Sequence, residues 1–540
     1  MRQHKFLLAI LILAACLRFY KLDLFPSGLH NDEASFLYNA QSLSATGRDE
    51  DGRVWPLFLN SYIDPKPALY SYLELPFVKI LGVNNWSARL PTVILSLLSL
   101  YWFYRIILLL TKSQKLALIA LFLLTISPWH IVNSRATQEV MMAFTFSLGA
   151  IYFLLKNNLC FLPLAFLSMY SYHSAKVFLP LILLALAIYI KKLKTSLKEG
   201  SPFGRKNTLS FLILGISLLI LLFTKTGSDR FLDIGLQHGD TQLVLDEQIR
   251  LATPYTNSFL IRVFHNKIVN YSLALLNKYG QHFTLSFLFL QGGDPLRYQV
   301  PFHGLLYLVE LPLLLWGIFI GLRNKNYQHL TYLMLFWLLI SPLATILTTQ
   351  EVISTIRSFM MLPPLVFLVS LALSHLSLLV PSPIHRRGIK GKVFLFFICA
   401  IYLWCFAYFL HQYFVFAPHY RPWHRNFAEE QMAEKVSALQ NNYDKIYISR
   451  QSGQPYIYLA LRNLITVSEL QSSYPLRLQA DFCLDKYCLV ADQCFMDLSM
   501  SQTLFVISDS CKIGNAYQVL DKATFKDGAQ GYQLVIPRVH

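Results

Sequence analysis

Charge is scarce in this chain. Only 14% of its 540 residues are Asp, Glu, Lys or Arg, and acids are the rarer kind, 30 against 47 basic residues. A soluble domain carries about a quarter charged residues, so a single soluble globule is excluded. Internal repeats and low-complexity segments are absent as well. The sequence contains no HExxH, no Walker loop, no GxSxG and no dinucleotide fingerprint. Chemistries that depend on those motifs lack their signatures here.

What is abundant is apolar residue, in continuous runs of about 17 to 25, the length that crosses a bilayer as helix. Continuous runs rather than alternation select helices over a barrel. Eleven spans are expected: 6–24, 88–110, 116–133, 138–155, 159–173, 176–190, 208–224, 303–322, 329–347, 355–379 and 393–415. The weakest is 159–173, short and ending in polar "YSYHS". Basic residues gather in short connections, such as Lys112 with Lys115, Lys191 to Lys206, Arg323 with Lys325, and Arg386 to Lys392. With eleven spans these fall on one side, which the positive-inside rule makes cytoplasmic. Topology therefore absorbs the surplus charge, and a nucleic-acid partner is not expected. Cys16 closes "LILAAC", the pattern of a lipoprotein signal. Apolar character continues through "LRFY" with no polar, flexible stretch after it, so this reads as an uncleaved first span.

The opposite side receives loops 25–87 and 225–302 and everything after about 416. The expected organisation is a transmembrane domain over 1–416 and an extracytoplasmic α/β domain over 417–540, in a bacterial plasma membrane, with the N-terminus cytoplasmic. In the first loop, "NDEASFLYNAQSLSATG" carries an N-cap in Asn31, acids in the first turn and Gly47 as a stop, predicting an amphipathic helix. A second helix is predicted from "PKPALYSYLELPFVKIL", with Pro67 at its first position. A further amphipathic stretch is expected near 256–290. In the tail, "WHRNFAEEQMAEKVSALQ" predicts a helix, and "DKIYISR", "LFVISDS" and "YQLVIP" predict strands. Four cysteines lie in the tail: Cys483, Cys488, Cys494 and Cys511. An oxidising compartment makes them two disulfides rather than a zinc site, with three connectivities open.

The residues able to do chemistry gather toward the outer side. Asp32 and Glu33 sit where acids also serve a helix dipole without further function. The second acidic group, "RDEDG" at 48–52, reads as a solvated turn. Asp64 and Lys66 precede a Pro-initiated helix, where free N–H groups and a lysine form a ready anion site. Arg89, Arg135 and Arg357 occupy outer ends of spans, and several cations around one cavity suit a phosphate. Glu139 lies near the outer end of a span, where a carboxylate needs a polar cavity or a cation, and an intrahelical pair with Arg135 is the bland alternative. His130 and His173 also sit at outer helix ends, a position more often of headgroup contacts or capped turns than of metal ligands.

An Asp-Glu pair in a long first outer loop, then "DPKPALY", then "ARLP" entering the second span, resembles the GT-C superfamily of membrane glycosyltransferases. The closest branch is that of protein O-mannosyltransferases and the aminoarabinose transferases that modify lipid A. "SPWHIVNSRATQE", "YSYHSAKVFLP", "GGDPLRY" and "ISPLATIL" extend the similarity along the membrane part. The resemblance implies a mainly α, polytopic bundle with a small α/β domain outside. It implies a polyprenyl-phosphate sugar donor, an acceptor that is protein, lipid or glycan, and inversion at the anomeric carbon. Carried over, Asp32 is the base or acceptor-orienting carboxylate, Glu33 its partner and Glu139 the acid of the second outer loop. Lys66 matches the lysine near the donor phosphate, with Arg89, Arg135 and Arg357 as further phosphate ligands. Asp64, His173 and Asp294 of "GGDPLRY" are cavity or metal candidates. Two departures leave the use of a divalent metal open: Asp64 stands one place further from the lysine than in the family, and the second-loop acid is Glu139 where some members have Asp.

The competing class is a transporter or lipid-linked-sugar flippase. Such proteins place ionisable groups near the midplane and often carry inverted repeats. Here the acids cluster at outer helix ends and the halves do not match, which favours the enzyme.

Overall fold

The computed structural model describes all residues except 1, 62–63, 197–214, 217–239, 347, 349–352, 379–386, 451–453, 475 and 539–540. The chain forms two compact units. The first comprises Met1–Leu17, Leu95–Asn133 and Glu139–Phe409; the second comprises Arg18–Ile94, Ser134–Gln138 and Leu410–His540.

The first unit is helical. Helix α1 (Arg2–Phe19) enters it, and α4 (Asn85–Thr111), α5 (Gln114–Ile126), α6 (Pro128–Ser134), α7 (Glu139–Leu155), α8 (Phe161–Ser171) and α9 (His173–Ser196) follow. Among the described residues, five helical stretches are long and apolar enough to cross a membrane: Asn85–Thr111, His173–Lys191, Gln328–Ile346, Phe359–Leu376 and Phe396–Phe416. A sixth is reached if α5 and α6 count as one span. The protein is integral to the membrane.

Several expected spans are altered. The run 116–133 is not one helix: α5 and α6 meet at a 59° bend, where Pro128 removes a backbone donor and starts a new helix. The runs 138–155 and 159–173 form helices of 17 and 11 residues. The run 303–322 is helical only from Glu310 to Arg323, and the first span stops at Phe19 rather than 24. The expected span 208–224 lies outside the described residues apart from 215–216.

The amphipathic stretch of the second outer loop becomes α10 (Asp240–Ala252), α11 (Ser258–Phe264) and α12 (Lys267–Gln281), the last two opened by Asn257 and Asn266 as side-chain N-caps. Helices α13 (Glu310–Arg323), α14 (Gln328–Ile340), α15 (Leu343–Ile346), α16 (Leu362–Leu378) and α17 (Arg387–His411) follow, α17 continuing past the unit's edge. α13 and α16 approach closely at Gly317, where a Cβ would lie 1.9 Å from the Leu368 carbonyl oxygen. Only a residue without a side chain permits that crossing.

The second unit joins the first outer loop to the C-terminal tail. It contains α2 (Asn31–Thr46), the hairpin β1 (Phe58–Ser61) and β2 (Asp64–Pro67), and α3 (Leu69–Leu81). Its tail supplies α18 (Phe427–Leu439), β3 (Lys445–Ser449), α19 (Tyr456–Leu461), α20 (Val467–Ser472), β4 (Phe482–Leu484), β5 (Tyr487–Val490), β6 (Thr503–Ser508), β7 (Tyr517–Thr524) and β8 (Gln530–Pro537). The six strands form one sheet in the order β4-β5-β3-β6-β8-β7, with β5, β3 and β6 parallel and the rest antiparallel. The predicted helix and all three predicted strands are present. The cysteines pair as Cys483–Cys488, across β4 and β5, and Cys494–Cys511.

One core runs through this unit. Ala34, Leu37, Tyr38 and Ala40 of α2 pack with Met432, Val436, Ile446, Ile448, Ile457, Tyr458, Leu489, Leu504 and Leu534 of the tail. Fully burying each large aliphatic side chain is worth about 1.5–3 kcal/mol, so α2 and the tail stabilise one another. Two local expectations fail here. The N-cap of α2 is His30, not Asn31. Residues 64–67 are a strand rather than a helix start, because they pair with 58–61, and α3 begins at Leu69.

Candidate active site

The N-terminus of α2 is built around a reciprocal cap. His30 accepts the Asp32 N–H through Nδ1 at 3.2 Å, and the Glu33 side chain accepts the His30 N–H at 3.0 Å. This is a capping box with histidine in the place usually held by Ser or Thr. Glu33 is therefore first a structural residue, and its side chain is fully buried.

A buried carboxylate costs several kcal/mol unless it is paired and hydrogen-bonded. Glu33 is both. Oε1 accepts the Thr137 N–H at 2.8 Å, and Oε2 accepts from Arg425 Nη2 at 2.7 Å as well as from His30. Arg89 Nε stands 3.7 Å from Oε1. Thr137 is held by its own hydroxyl, which donates to the Ala88 carbonyl at 2.9 Å. Three parts of the chain thus converge on one carboxylate.

Asp32 differs in kind. Its side chain is 34% exposed, and its hydrogen bond comes from Nζ of Lys66, which is 6% exposed. Lys66 reaches it from β2, where it pairs with Leu59, and its ammonium lies 5.6 Å from the Phe36 ring centroid. His30 Nδ1 is 3.6 Å from Asp32 Oδ2. The arrangement is a half-exposed carboxylate beside a buried ammonium. Such a pair can take a proton from an approaching hydroxyl and offers a positive charge to an anion.

Two of the three arginines expected to meet phosphate, Arg89 and Arg135, hold backbone carbonyls. Arg89 is fully buried and donates to the carbonyls of Leu22 at 2.7 Å and Gly28 at 2.8 Å. Arg135, also fully buried, donates to the carbonyls of Arg18, Tyr20 and Phe25 at 2.8, 2.6 and 3.1 Å, and its guanidinium lies 5.1 Å from the Phe414 ring centroid. Both tie down the stretch that leads from α1 to α2. Arg135 lies outside any helix, so it and Glu139 do not share a helix.

Asp64 opens β2, and its side chain lies outside those described. Glu139, His173, Asp294 and Arg357 belong to the first unit. Glu139 opens α7 and His173 opens α9. Asp294 joins its backbone to that of Ile353 and Thr355, and Arg357 donates to Thr348 Oγ1 at 2.8 Å. His130 is a core residue, buried with Nε2 at 3.0 Å from Ser99 Oγ. Among the described residues, no group of three or more His, Cys, Asp or Glu comes together as a metal-ligand set.

Buried acids of the first outer loop went unrecognised in the sequence. Glu74, on the inner face of α3, is fully buried with both oxygens lacking a hydrogen bond. Burial, with Glu33 as a second cause, pushes its carboxyl well above the usual range. The "RDEDG" turn is not solvated. Asp49 and Glu50 are buried, Asp51 accepts from Arg477 Nη2 at 2.7 Å, and the Glu50 N–H donates to Asn39 Oδ1 at 3.0 Å. Burial raises Glu50 to about 8 despite Arg477 nearby.

The comparisons with known proteins agree with this architecture. A family model described as dolichyl-phosphate-mannose-protein mannosyltransferase matches residues 8–193. No protein of curated function matches the sequence. Two crystal structures of ArnT from Cupriavidus metallidurans are similar along the whole chain. The apo form is 11% identical, with a TM-score of 0.52, covering 99% of this chain and 98% of ArnT. The form bound to undecaprenyl phosphate is 10% identical, also at 0.52, covering 98% and 97%. The fold is that of the GT-C class. Within that class it is similar to the protein mannosyltransferases over its first third and to ArnT in overall fold.

Proposed function

We propose that the protein transfers a sugar from a polyprenyl-phosphate donor to an acceptor hydroxyl at the extracytoplasmic face, with inversion. The acceptor class is protein, lipid or glycan. The donor reading is supported by the lipid-phosphate donor in the matched family's description and by the undecaprenyl phosphate bound to ArnT. The outward orientation is supported by the basic short loops on the opposite side. We keep the membrane part as 1–416 and the extracytoplasmic part as 417–540, the N-terminus being cytoplasmic and the membrane a bacterial plasma membrane.

The observation that carries the mechanism is the Asp32–Lys66 pair. Asp32 takes the proton of the acceptor hydroxyl as its oxygen attacks the anomeric carbon. The bond from that carbon to the phosphate oxygen breaks, and its electron pair leaves with the polyprenyl phosphate. Lys66 gives up Asp32 and stabilises the departing phosphate. Attack opposite the leaving group inverts the anomeric centre. Glu33 takes no proton in this scheme; it holds the turn from which Asp32 projects.

The reading is tested with the purified protein in lipid nanodiscs and undecaprenyl-phosphate-mannose as the donor probe. Release of undecaprenyl phosphate, with a product of opposite anomeric configuration, is expected. Retention of configuration, or no binding of undecaprenyl phosphate by the wild type, contradicts it.

A further inference from the structure

The turn that carries Asp32 is clasped by residues from the far end of the chain. Arg425 Nη2 donates to Glu33 Oε2 at 2.7 Å, while the same guanidinium lies 3.4 and 3.5 Å from the carbonyls of Ser27 and Gly28. Glu430 Oε1 accepts the Leu29 N–H at 2.9 Å. The Tyr458 hydroxyl donates to the Leu29 carbonyl at 2.9 Å and meets Asn31 Oδ1 at 3.1 Å. Gly28 has φ +72°, and a Cβ there would lie 2.7 Å from the Arg425 carbonyl oxygen. The tail backbone is pressed against the turn.

These contacts follow a pattern. Leu29, Asn31 and Glu33 are each held from the tail, and Asp32, between Asn31 and Glu33, is joined to Lys66 and is 34% exposed. The backbone on both sides of this partly exposed carboxylate is therefore fixed. Ordinary packing is the bland account. A buried ion pair, however, adds little net stability over apolar residues of the same volume, whereas it does fix geometry. A displacement of about 1 Å at a reacting group can cost about 100-fold in rate.

We infer that Arg425 and Tyr458 are positioning residues for Asp32, so that the C-terminal tail sets the turnover rate without taking part in donor binding. This rests on the reading of Asp32 as the base.

The test uses the full chain in nanodiscs, with Arg425→Gln, Arg425→Lys and Tyr458→Phe. Backbone hydrogen exchange is followed at residues 28–34 and at strands β3 and β6. Turnover is followed with undecaprenyl-phosphate-mannose, and affinity with undecaprenyl phosphate. In Arg425→Gln the Leu29 and His30 amides should exchange about ten-fold faster or more, as expected for losing a charge-assisted hydrogen bond. The strands should keep their protection. Turnover should fall about 10- to 100-fold with donor affinity unchanged. Arg425→Lys should recover part of it, since an ammonium reaches Glu33 but cannot fork to the two carbonyls. Tyr458→Phe should show a smaller drop of the same kind, and it carries the test if Arg425→Gln does not fold. Faster exchange with wild-type turnover overturns the inference, as does a loss that falls on donor affinity. If the wild type releases no undecaprenyl phosphate, the donor reading fails by itself. Exchange at Leu29 and His30 then decides, and unchanged exchange in both Arg425→Gln and Tyr458→Phe overturns the clasp.

Discussion

Glu33 and Arg425 meet at 2.7 Å across 392 residues of sequence, and both are buried. A carboxylate in the first outer loop is thereby completed by the tail. Asp32, one residue earlier, points to a different partner and keeps access to solvent. Adjacent acids thus have separate tasks, one holding the turn and the other facing what approaches it.

That separation predicts stability losses of different size. Glu33→Ala leaves Arg425 and Arg89 buried without their carboxylate, which should cost about 3–5 kcal/mol. Asp32→Asn keeps an oxygen that accepts from the buried Lys66 ammonium and should cost less than Glu33→Ala. Thermal unfolding of the two variants in detergent checks this. Equal loss in both would mean that the acids share one structural role.

Glu50 predicts a pH dependence of stability. Burial raises its carboxyl from 4.5 to about 8, so the folded state holds a proton that the unfolded chain releases. Its contribution is fully present below about 4.5 and is lost as pH rises through about 8. Glu50→Gln keeps the shape in neutral form. It should match the wild type at pH 5 and exceed it in unfolding midpoint at pH 8.5. A difference that does not vary with pH would contradict the buried, protonated state.

Gly28→Ala should destabilise the second unit, because residue 28 needs a left-handed backbone and its Cβ would lie 3.1 Å from the Phe427 Cα as well as against Arg425. A loss above about 1 kcal/mol is expected. Wild-type stability in this variant would show that the turn and the start of α18 can move apart.

Much of this was legible in the sequence. Hydropathy gave the helical membrane class, and the order Asp32–Glu33, Lys66, "ARLP" pointed to the two residues that meet. Strands β3, β6 and β8 stood out through their β-branched and aromatic residues, whereas the capping box was hidden because His30 stands where Ser or Thr is usual. What sequence could not supply was pairing at long range. Nothing in "WHRNF" marks Arg425 as the partner of Glu33, and "RDEDG" has the composition of a solvated turn although Arg477 covers it. The backbone partners of Arg89 and Arg135 were hidden for a related reason. A cation at a helix end looks equally suited to phosphate and to backbone carbonyls, and only the path of residues 18–28 decides. The hairpin of Phe58–Ser61 with Asp64–Pro67 also depends on a partner strand, which local propensity for a Pro-started helix concealed.

The most direct test of the central claim separates Asp32 from Lys66. In Asp32→Asn, transfer from undecaprenyl-phosphate-mannose should fall by about 100-fold or more, the range of general-base catalysis, while affinity for undecaprenyl phosphate stays at the wild-type value. In Lys66→Ala, affinity should weaken as well, by the roughly 1.5–3 kcal/mol of a charge-assisted contact. Wild-type transfer by Asp32→Asn would contradict the account and leave Asp32 as no more than an acid at the start of a helix.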